Sequence, residues 1–459
     1  MSDSVVSVFE RLVGTEPSTD GPVLFDTACV IGGSIAGLLA ARVLAGHARR
    51  VVIIERDAVS TDGTSRHGVP HDQQVHTLLP AGQQWIERWL PGFTREVQDL
   101  GANLAGPDLT ETSIDGHPQA PSGADHRLLA ISRPLLEARI RAKVMALPNV
   151  TTLHAQATGL RYRDAAVSGV SYTEGNAVKD LEADFVVDAM GRSSRLSDWV
   201  RQQGYDQPRL ERLAAPINYA TALFERPVAS ADLEKACVLA LFTPQYSSGG
   251  VSVAAANAIE GEQWLVMLMG YGDDRPGSTI DEFRAACANL PAIFGEATRG
   301  AVTRDVVTYR QAESRRRHFS EVHHFPARLV SVGDAVASFN PVYGQGMSSA
   351  ALHASCLSSY LRGGPDLGTA ATGFFGLQQI VVDAAWAVSA GGDAARLDAA
   401  NGVEAPEDVR RQRWALEQVI AATLVDGSTA RAFNDVAYML RHPATLADPA
   451  LLERAAVAS

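Results

Sequence analysis

The sequence predicts an α/β protein: a Rossmann-type dinucleotide-binding domain, a second domain on a mixed β-sheet, and a C-terminal helical region. Three observations carry this. An apolar β-rich run at Thr27–Ile31 is followed by a glycine turn at Gly32–Gly37, a Leu/Ala-rich helical stretch and a second apolar run at Val51–Ile54. Strand, turn, helix and strand within about 30 residues make a βαβ unit. Between Pro216 and Thr308 the apolar pattern has period two, at Tyr219–Phe224, Cys237–Phe242, Val251–Ala255 and Trp264–Met269, which reads as strands. From Thr369 onward Phe374, Leu377, Val381, Ala385 and Val388 fall on one helical face.

In chain order, residues 1–25 read as an extension, with a short apolar stretch (Val5, Val6, Val8, Phe9, Leu12) and then loop punctuation from Gly14 to Pro22. Ile35–Ala45 is helical and Gly46 ends it. Arg56–Gly123 is loop-rich with one helical piece around Gly82–Leu90. Pro134–Leu147 is an amphipathic helix opened by its proline and stopped by Pro148. Thr151–His154 is a strand, and Ala157–Arg163, Val167–Thr173 and Phe185–Ala189 form a meander returning to the main sheet. One helix near Ile280–Leu290 interrupts the β-rich region, Arg328–Val332 is a short buried strand, and Gly346–Leu361 is a helix.

Composition excludes several classes. The 459 residues are 46% apolar and 20% charged with net charge −12, ordinary for a globular enzyme and too apolar for disorder. The acidic balance disfavours nucleic acid as a partner, because phosphate binding needs clustered positive charge. Cys29, Cys237, Cys287 and Cys356 lie far apart and form no CxxC pair. They read as buried free thiols in a reducing cytoplasm, with neither a disulfide framework nor a metal site. The first residues lack the basic and apolar regions of a signal peptide, and no apolar run is long enough to span a membrane.

Gly32-Gly33-Ser34-Ile35-Ala36-Gly37 fits a Gly-x-Gly-x-x-Gly frame with Ser34 in the second glycine's place. Small residues there let backbone amides approach a pyrophosphate, and the helix N-terminus adds partial positive charge. Glu55, 23 residues after Gly32 at the end of the second strand, is placed to bond ribose hydroxyls and repel a 2′-phosphate. Gly32-x-Ser34-x-Ala36 and Gly346-x-Ser348-x-Ala350 also resemble nucleophile elbows, but spacing marks out no His–acid pair. Further on, Gly333-Asp334 follows a short strand, and Pro341-Val342-Tyr343-Gly344-Gln345-Gly346-Met347 opens a helix. An acid suits a polyol chain, and a glycine turn at a helix N-terminus aims N–H donors at an electron-rich edge. A flavin needs both.

On these motifs, with Asp184–Ser194, the chain resembles the class A flavoprotein monooxygenases of the p-hydroxybenzoate hydroxylase fold over nearly its whole length. The resemblance implies FAD as cofactor. Gly32, Gly33, Ser34, Ala36, Gly37, Glu55 and Arg56 would hold its ADP half. Arg133 would touch the connecting chain, Gly333 and Asp334 the ribityl and pyrophosphate, and Pro341, Gly344, Gly346 and Met347 the isoalloxazine. It implies FAD-binding segments at 26–80, 125–200 and 325–361, substrate-domain segments at 81–124 and 201–324, and C-terminal helices over 362–459.

One departure bears on activity. The family's Asp-Gly-x-x-Ser motif is replaced by Met190-Gly191-Arg192-Ser193-Ser194, without the acid, which counts against reduction by NAD(P)H. Arg66-His67-Gly68-Val69-Pro70, His76 and Phe339–Ser348 resemble a branch acting on large polyketide-derived substrates. That branch holds polyether epoxidases and flavin-binding [4+2] cyclases that form dialkyldecalins from tetramate- or tetronate-type polyenes. The expectation is a redox-neutral cyclase with FAD as a structural wall; the alternative is an FAD- and NAD(P)H-dependent monooxygenase on a polyketide. A non-catalytic flavin-binding regulator is the third class. Tyr246, Trp264, Met267, Met269 and His76 are the candidate pocket residues, with His71 nearby; Arg315-Arg316-Arg317-His318 would either steer an acidic substrate or form a solvated face.

Overall fold

The computed structural model describes the chain except residues 1–3, 15, 17–20, 59–61, 67, 70, 227–233, 244–245, 247–249 and 459. His67 and Pro70 of the Arg66–Pro70 motif lie outside the described residues.

A five-stranded parallel sheet forms the centre of the first domain. Phe25–Ile31 sits in the middle, flanked by Ala48–Glu55 and then Val150–His154 on one side, and by Phe185–Asp188 and then Leu329–Ser331 on the other. The strands read as apolar runs because both faces are covered. The register aligns their carboxyl ends: Ile31 lies opposite Ile54 and Asp188, and Asp188 opposite Ser331. The chain leaves the central strand toward both edges, so a crevice opens at that end of the sheet. Register thereby joins three motifs that lie up to 300 residues apart in sequence.

The second sheet has seven strands, in the order Val302–Gln311, Ile217–Glu225, Gln263–Tyr271, Val253–Ile259, Cys237–Leu241, Thr110–Ile114 and His117–Pro118. Its two faces have different fates. Phe224, Trp264, Val266 and Leu268 pack under Ile280–Ala288 and Ala292–Ala297 with Phe283 and Phe294. Ile217, Tyr219, Val253, Ala255, Met267 and Met269 form a separate apolar layer on the opposite face. Burial of both faces hides the alternation within Val253–Ile259, which is buried throughout.

Several elements differ from the sequence expectation. The N-terminal stretch is the helix Val5–Gly14, whose Val8, Phe9, Leu12 and Val13 join the main core. The loop-rich zone carries a further helix, Phe93–Asp99, and short strands at Asn103–Ala105 and Thr110–Ile114. The meander has a third strand, Ala177–Glu182, whose residues are nearly all exposed and so carry no apolar signal. The helices Gln345–Arg362 and Thr372–Asn401 pack together against the first domain. Glu407–Ala422, Gly427–Ala437 and Pro449–Ala458 then form a small module with its own core of Val419, Ala422 and Ala455. All four cysteines are free and buried. Among the described residues no His/Cys/Asp/Glu group has metal-binding geometry, and no helix is long and apolar enough to cross a membrane.

Candidate flavin site and adjoining chamber

One cavity of about 1490 Å³ runs from the crevice of the parallel sheet to the inner face of the second sheet. At its first end Gly32 adopts φ +102, where a Cβ would lie 2.4 Å from the Ala189 carbonyl oxygen; a Cβ on Gly37 would lie 1.9 Å from the Gly32 oxygen. Only glycine permits this turn to press against the neighbouring strand and helix. Ser34 precedes the helix Ile35–Leu44 without capping it. Its hydroxyl donates to Glu137 Oε2 at 2.7 Å and accepts from Arg133 Nη2 at 3.1 Å. The first amides of that helix therefore keep their donors for a ligand.

Glu137 is the hub beneath the turn. It receives Arg66 Nε at 2.7 Å, Arg133 Nη2 at 2.9 Å and Arg141 Nη2 at 2.7 Å. Burial alone would raise its carboxyl pKa, but the charges of Arg133 and Arg66, the Ser34 hydroxyl and Arg141 outweigh that and bring it down to about 2. Arg141 also donates to the Gly33 carbonyl at 2.6 Å. Sequence reasoning missed this cluster, although Glu137 stands four residues after Arg133 and four before Arg141, on one helical face. Arg133 is buried and lines the cavity.

Glu55 lines the cavity as its position required, but its carboxylate is partly engaged by its own chain. Oε2 accepts from Gly33 N–H at 2.7 Å and Oε1 from Asp57 N–H at 2.9 Å. Each oxygen keeps a lone pair for a ribose hydroxyl. Arg56 lines the mouth, with Asp57 at 3.9 Å.

Gly333 (φ +63) brings the second motif against the first: a Cβ there would lie 2.5 Å from the Ala36 Cβ. Its N–H donates to His353 Nδ1 at 2.9 Å. Asp334 lines the cavity beside it; burial raises its carboxyl pKa, against Arg192, Ser338, Arg133 and Arg315. Pro341–Tyr343 form one 3-10 turn, and Gly344 enters the helix Gln345–Arg362 in the left-handed region without a side-chain cap. Gly344, Gly346 and Met347 all line the cavity. Two helix N-termini with uncapped amides, a glycine cradle and a cavity-facing acid fit the phosphates, ribityl chain and ring edge of FAD.

The turn after Phe185–Asp188 is braced by a buried acid that sequence reasoning did not use. Met190 does replace an acid, but Asp188 stands two residues earlier at the strand end. It accepts from Met190 N–H at 3.0 Å, Ser194 Oγ at 2.7 Å and Ser331 Oγ at 2.9 Å. The turn thus has a carboxyl of its own.

Beyond the flavin loop the cavity becomes a chamber lined by Leu239, Leu241, Val253, Ala255 and Met267. Its polar groups include His71, His76, Gln74, Asn257, Tyr219 and Tyr309, with Glu111 and Thr112 toward the edge of the sheet. The His71 ring lies 5.4 Å from His76 and 5.9 Å from Tyr309. His76 Nδ1–H donates to the Gln74 carbonyl at 2.9 Å. Burial, then Arg133 and Arg192, push His71 down to about 4; burial, then His71 and Arg133, push His76 down to about 3. Both are neutral at pH 7. The Tyr219 hydroxyl is buried without a partner.

Of the pocket residues named from sequence, the structure brings Met267 and His76 to the chamber. Trp264 does not reach it: it is fully buried on the opposite face of the sheet, because strand side chains alternate and it is three positions from Met267. Met269 shares the chamber-side layer but is covered by its neighbours, and Tyr246 is 57% exposed and does not line the cavity. The arginine cluster is neither a solvated face nor a steering patch. Arg316 pairs with Glu211 at 2.9 Å and Asp383 at 2.7 Å, Arg317 donates to the Ala335 carbonyl at 2.8 Å, and Arg315 bonds the Arg192 carbonyl. Sequence reasoning also missed Asp393, a buried acid whose Oδ1 accepts from Asn340 Nδ2 at 2.8 Å and the Tyr271 hydroxyl at 3.3 Å, just behind the flavin loop.

Comparison with known proteins agrees with this geometry. Residues 26–363 match the model of the FAD binding domain family. The chain is 33% identical over 355 residues to Protein Rv3254 of Mycobacterium tuberculosis, covering 73% of each. Among solved structures it is similar to PqsL of Pseudomonas aeruginosa, described as a probable FAD-dependent monooxygenase (TM-score 0.59, 19% identity, 80% of this chain and 96% of that one). It is also similar to the Diels-Alderase PyrE3 of the pyrroindomycin pathway (TM-score 0.56, 16% identity, 90% and 80%). The fold is that of a class A flavoprotein. The chain belongs to the FAD binding domain family, and FAD is its cofactor.

Proposed function

We propose that the protein is an FAD-dependent monooxygenase acting on a large, mainly apolar small molecule of polyketide type. The observation that carries this reading is the chamber: largely apolar, it opens directly on the Pro341–Met347 loop where the reactive ring of a flavin would lie. FAD, when bound, would couple oxidation of NAD(P)H to insertion of one oxygen atom of O2 into the substrate, the other leaving as water. The chain's own part is to hold and to exclude. Glu137 and its three arginines keep the dinucleotide turn rigid. The Gly333–Asp334 and Gly344–Met347 segments direct an acceptor and N–H donors toward the cofactor. The layer around Met267 keeps water from the reacting centre. His71 and His76, both uncharged, line the chamber where they can exchange hydrogen bonds with a substrate hydroxyl.

This reading ranks above redox-neutral cyclisation because the similar PqsL is described as a probable FAD-dependent monooxygenase, while the departure at Met190 is one substitution in a turn still braced from behind by the buried Asp188. Cyclisation remains the second reading. A largely apolar chamber suits a folded polyene held for an intramolecular [4+2] reaction, and the neighbour PyrE3 is a Diels-Alderase. The purified yellow protein should be mixed anaerobically with NADPH or NADH and then exposed to O2. Bleaching followed by oxygen uptake supports the monooxygenase. A flavin that stays oxidised while a linear polyene is converted to an isomer of unchanged mass would overturn it in favour of the cyclase.

A further inference from the structure

The cavity does not stop at the chamber. It continues past the edge of the second sheet and under the C-terminal module, beyond the residues that match the family. There its walls include Leu416 and Ile420 of Glu407–Ala422, Phe433 and Val436 of Gly427–Ala437, and Leu446 and Leu452 further on, with Arg411, Arg413 and Asn434 among the polar members. Leu239 and Thr112 of the second sheet and Met347 beside the flavin loop line the same cavity.

The way the module is attached explains why this space stays open. It is tied down at a few points. Ala120 N–H donates to the Thr423 carbonyl at 2.9 Å, and Gln119 Nε2 to the Thr423 hydroxyl at 3.2 Å. His126 Nε2 meets Asp435 Oδ1 at 2.7 Å, and Gln345 Nε2 donates to the Ala437 carbonyl at 3.2 Å. Gly427 lies so close to the Pro121 carbonyl that a Cβ would come within 2.3 Å. Between these ties the helix Glu407–Ala422 buries only Val419 and Ala422. A helix that buries so little of its apolar surface against the body leaves a mainly apolar-walled space, and such a space favours an apolar guest over water.

We propose that this far end is a binding subsite for the apolar chain of the substrate, and that the C-terminal helices set the chain length accepted. The inference rests on reading the chamber as the substrate site. A substrate reaching from the flavin loop to Leu452 is an extended acyl or polyketide chain, not a compact aromatic ring. Ala415 and Phe433 line the subsite, and no part of the flavin cradle includes them.

The test uses FAD-loaded protein and cis-parinaric acid, a conjugated polyene acid that fluoresces in apolar surroundings, displaced by saturated straight-chain acids of increasing length. Affinity should rise roughly fourfold per added methylene until the subsite is filled. Ala415→Trp should weaken the longest acids about tenfold or more while short ones change less than about twofold. Phe433→Ala should move the plateau to longer chains, with the flavin spectrum unchanged in both variants. The same chain-length dependence in all three proteins, or no binding of long acids to the wild type, would overturn the inference, even if substrate-dependent oxygen uptake persisted. Length-dependent binding that both variants shift, without any oxygen uptake, supports the subsite and removes the monooxygenase reading alone.

Discussion

The two ends of the cavity obey opposite rules. At the flavin end, charge is concentrated and closed on itself: one carboxylate serves three arginines, and backbone turns are held by glycines that no other residue can replace. In the chamber the polar groups are mostly neutral, spaced between aliphatic side chains, and partly without partners. The first end must bind the same anionic dinucleotide in every turnover, so its geometry is rigid and specific. The second must admit a substrate and exclude water, so it is built from shape. A substitution at the first end should cost the cofactor, and one at the second should change what reacts while leaving the flavin bound.

Glu137→Ala should give the largest effect. It leaves Arg66, Arg133 and Arg141 buried without their common partner, a defect costing about 3–5 kcal/mol. Thermal unfolding should show that loss, and the purified variant should be colourless. Glu137→Gln is the sharper case, since it keeps the volume and removes only the charge. In the wild type the low carboxyl pKa makes this contribution fully present above the ordinary glutamate range, and it is lost as pH falls toward about 2. Full flavin retention in Glu137→Ala would break the contrast between the two ends.

Trp264→Ala should be nearly as destabilising, about 3–5 kcal/mol for a fully buried aromatic. It should nonetheless leave flavin affinity and substrate KM unchanged in the protein that remains folded. It and Met267 lie on one strand, three residues apart, so they occupy opposite faces. A KM change in Trp264→Ala equal to that of a Met267 variant would mean that the inner face has been misassigned.

These two residues also show what could be read from sequence. The dinucleotide turn was legible because glycine spacing, a following helix and an acid after the second strand are local constraints. The Gly333–Met347 segment was legible for the same reason. The chamber was not. Period two assigns Met267 and Met269 to one face and Trp264 to the other, yet it does not tell which face meets the cavity, since helices bury the other equally well. The N-terminal helix was readable in principle: Val5, Val8, Phe9 and Leu12 fit a 3.6 period, but the loop residues that follow drew the whole segment toward an extension. Asp188 escaped notice because the family pattern looks for its acid two residues later. Asp393 escaped because a single acid in a long helix carries no local signature; only the fold places it behind Asn340.

Met267→Trp should sharpen the chamber side. The larger ring takes space from the substrate without touching the flavin cradle, so KM for a large substrate should rise about tenfold, or about 1.4 kcal/mol, with the visible spectrum intact. A comparable loss of flavin would place Met267 against the cofactor.

Asp393 lies where the two ends meet, and its variant should give the smallest effect. Only 1% of the residue is exposed, and Oδ2 has no partner. Burial raises its carboxyl pKa to about 6, against the hydrogen bonds of Asn340 and Tyr271, the charge of Arg396 and the Tyr343 hydroxyl. Between the ordinary aspartate value and about 6 the folded protein therefore holds a proton that the unfolded chain has released. Stability should fall as pH rises through that window and level off above it. Asn keeps the oxygen that Asn340 and Tyr271 use and replaces the unpartnered anionic oxygen with an uncharged group. Asp393→Asn should thus be more stable than the wild type above pH 6, by on the order of 1 kcal/mol, and flat where the wild type slopes. Unfolding midpoints measured across that range decide the matter: an unchanged slope would assign the titration elsewhere, and Asp393 would then behave like the mostly neutral chamber rather than the charged cradle.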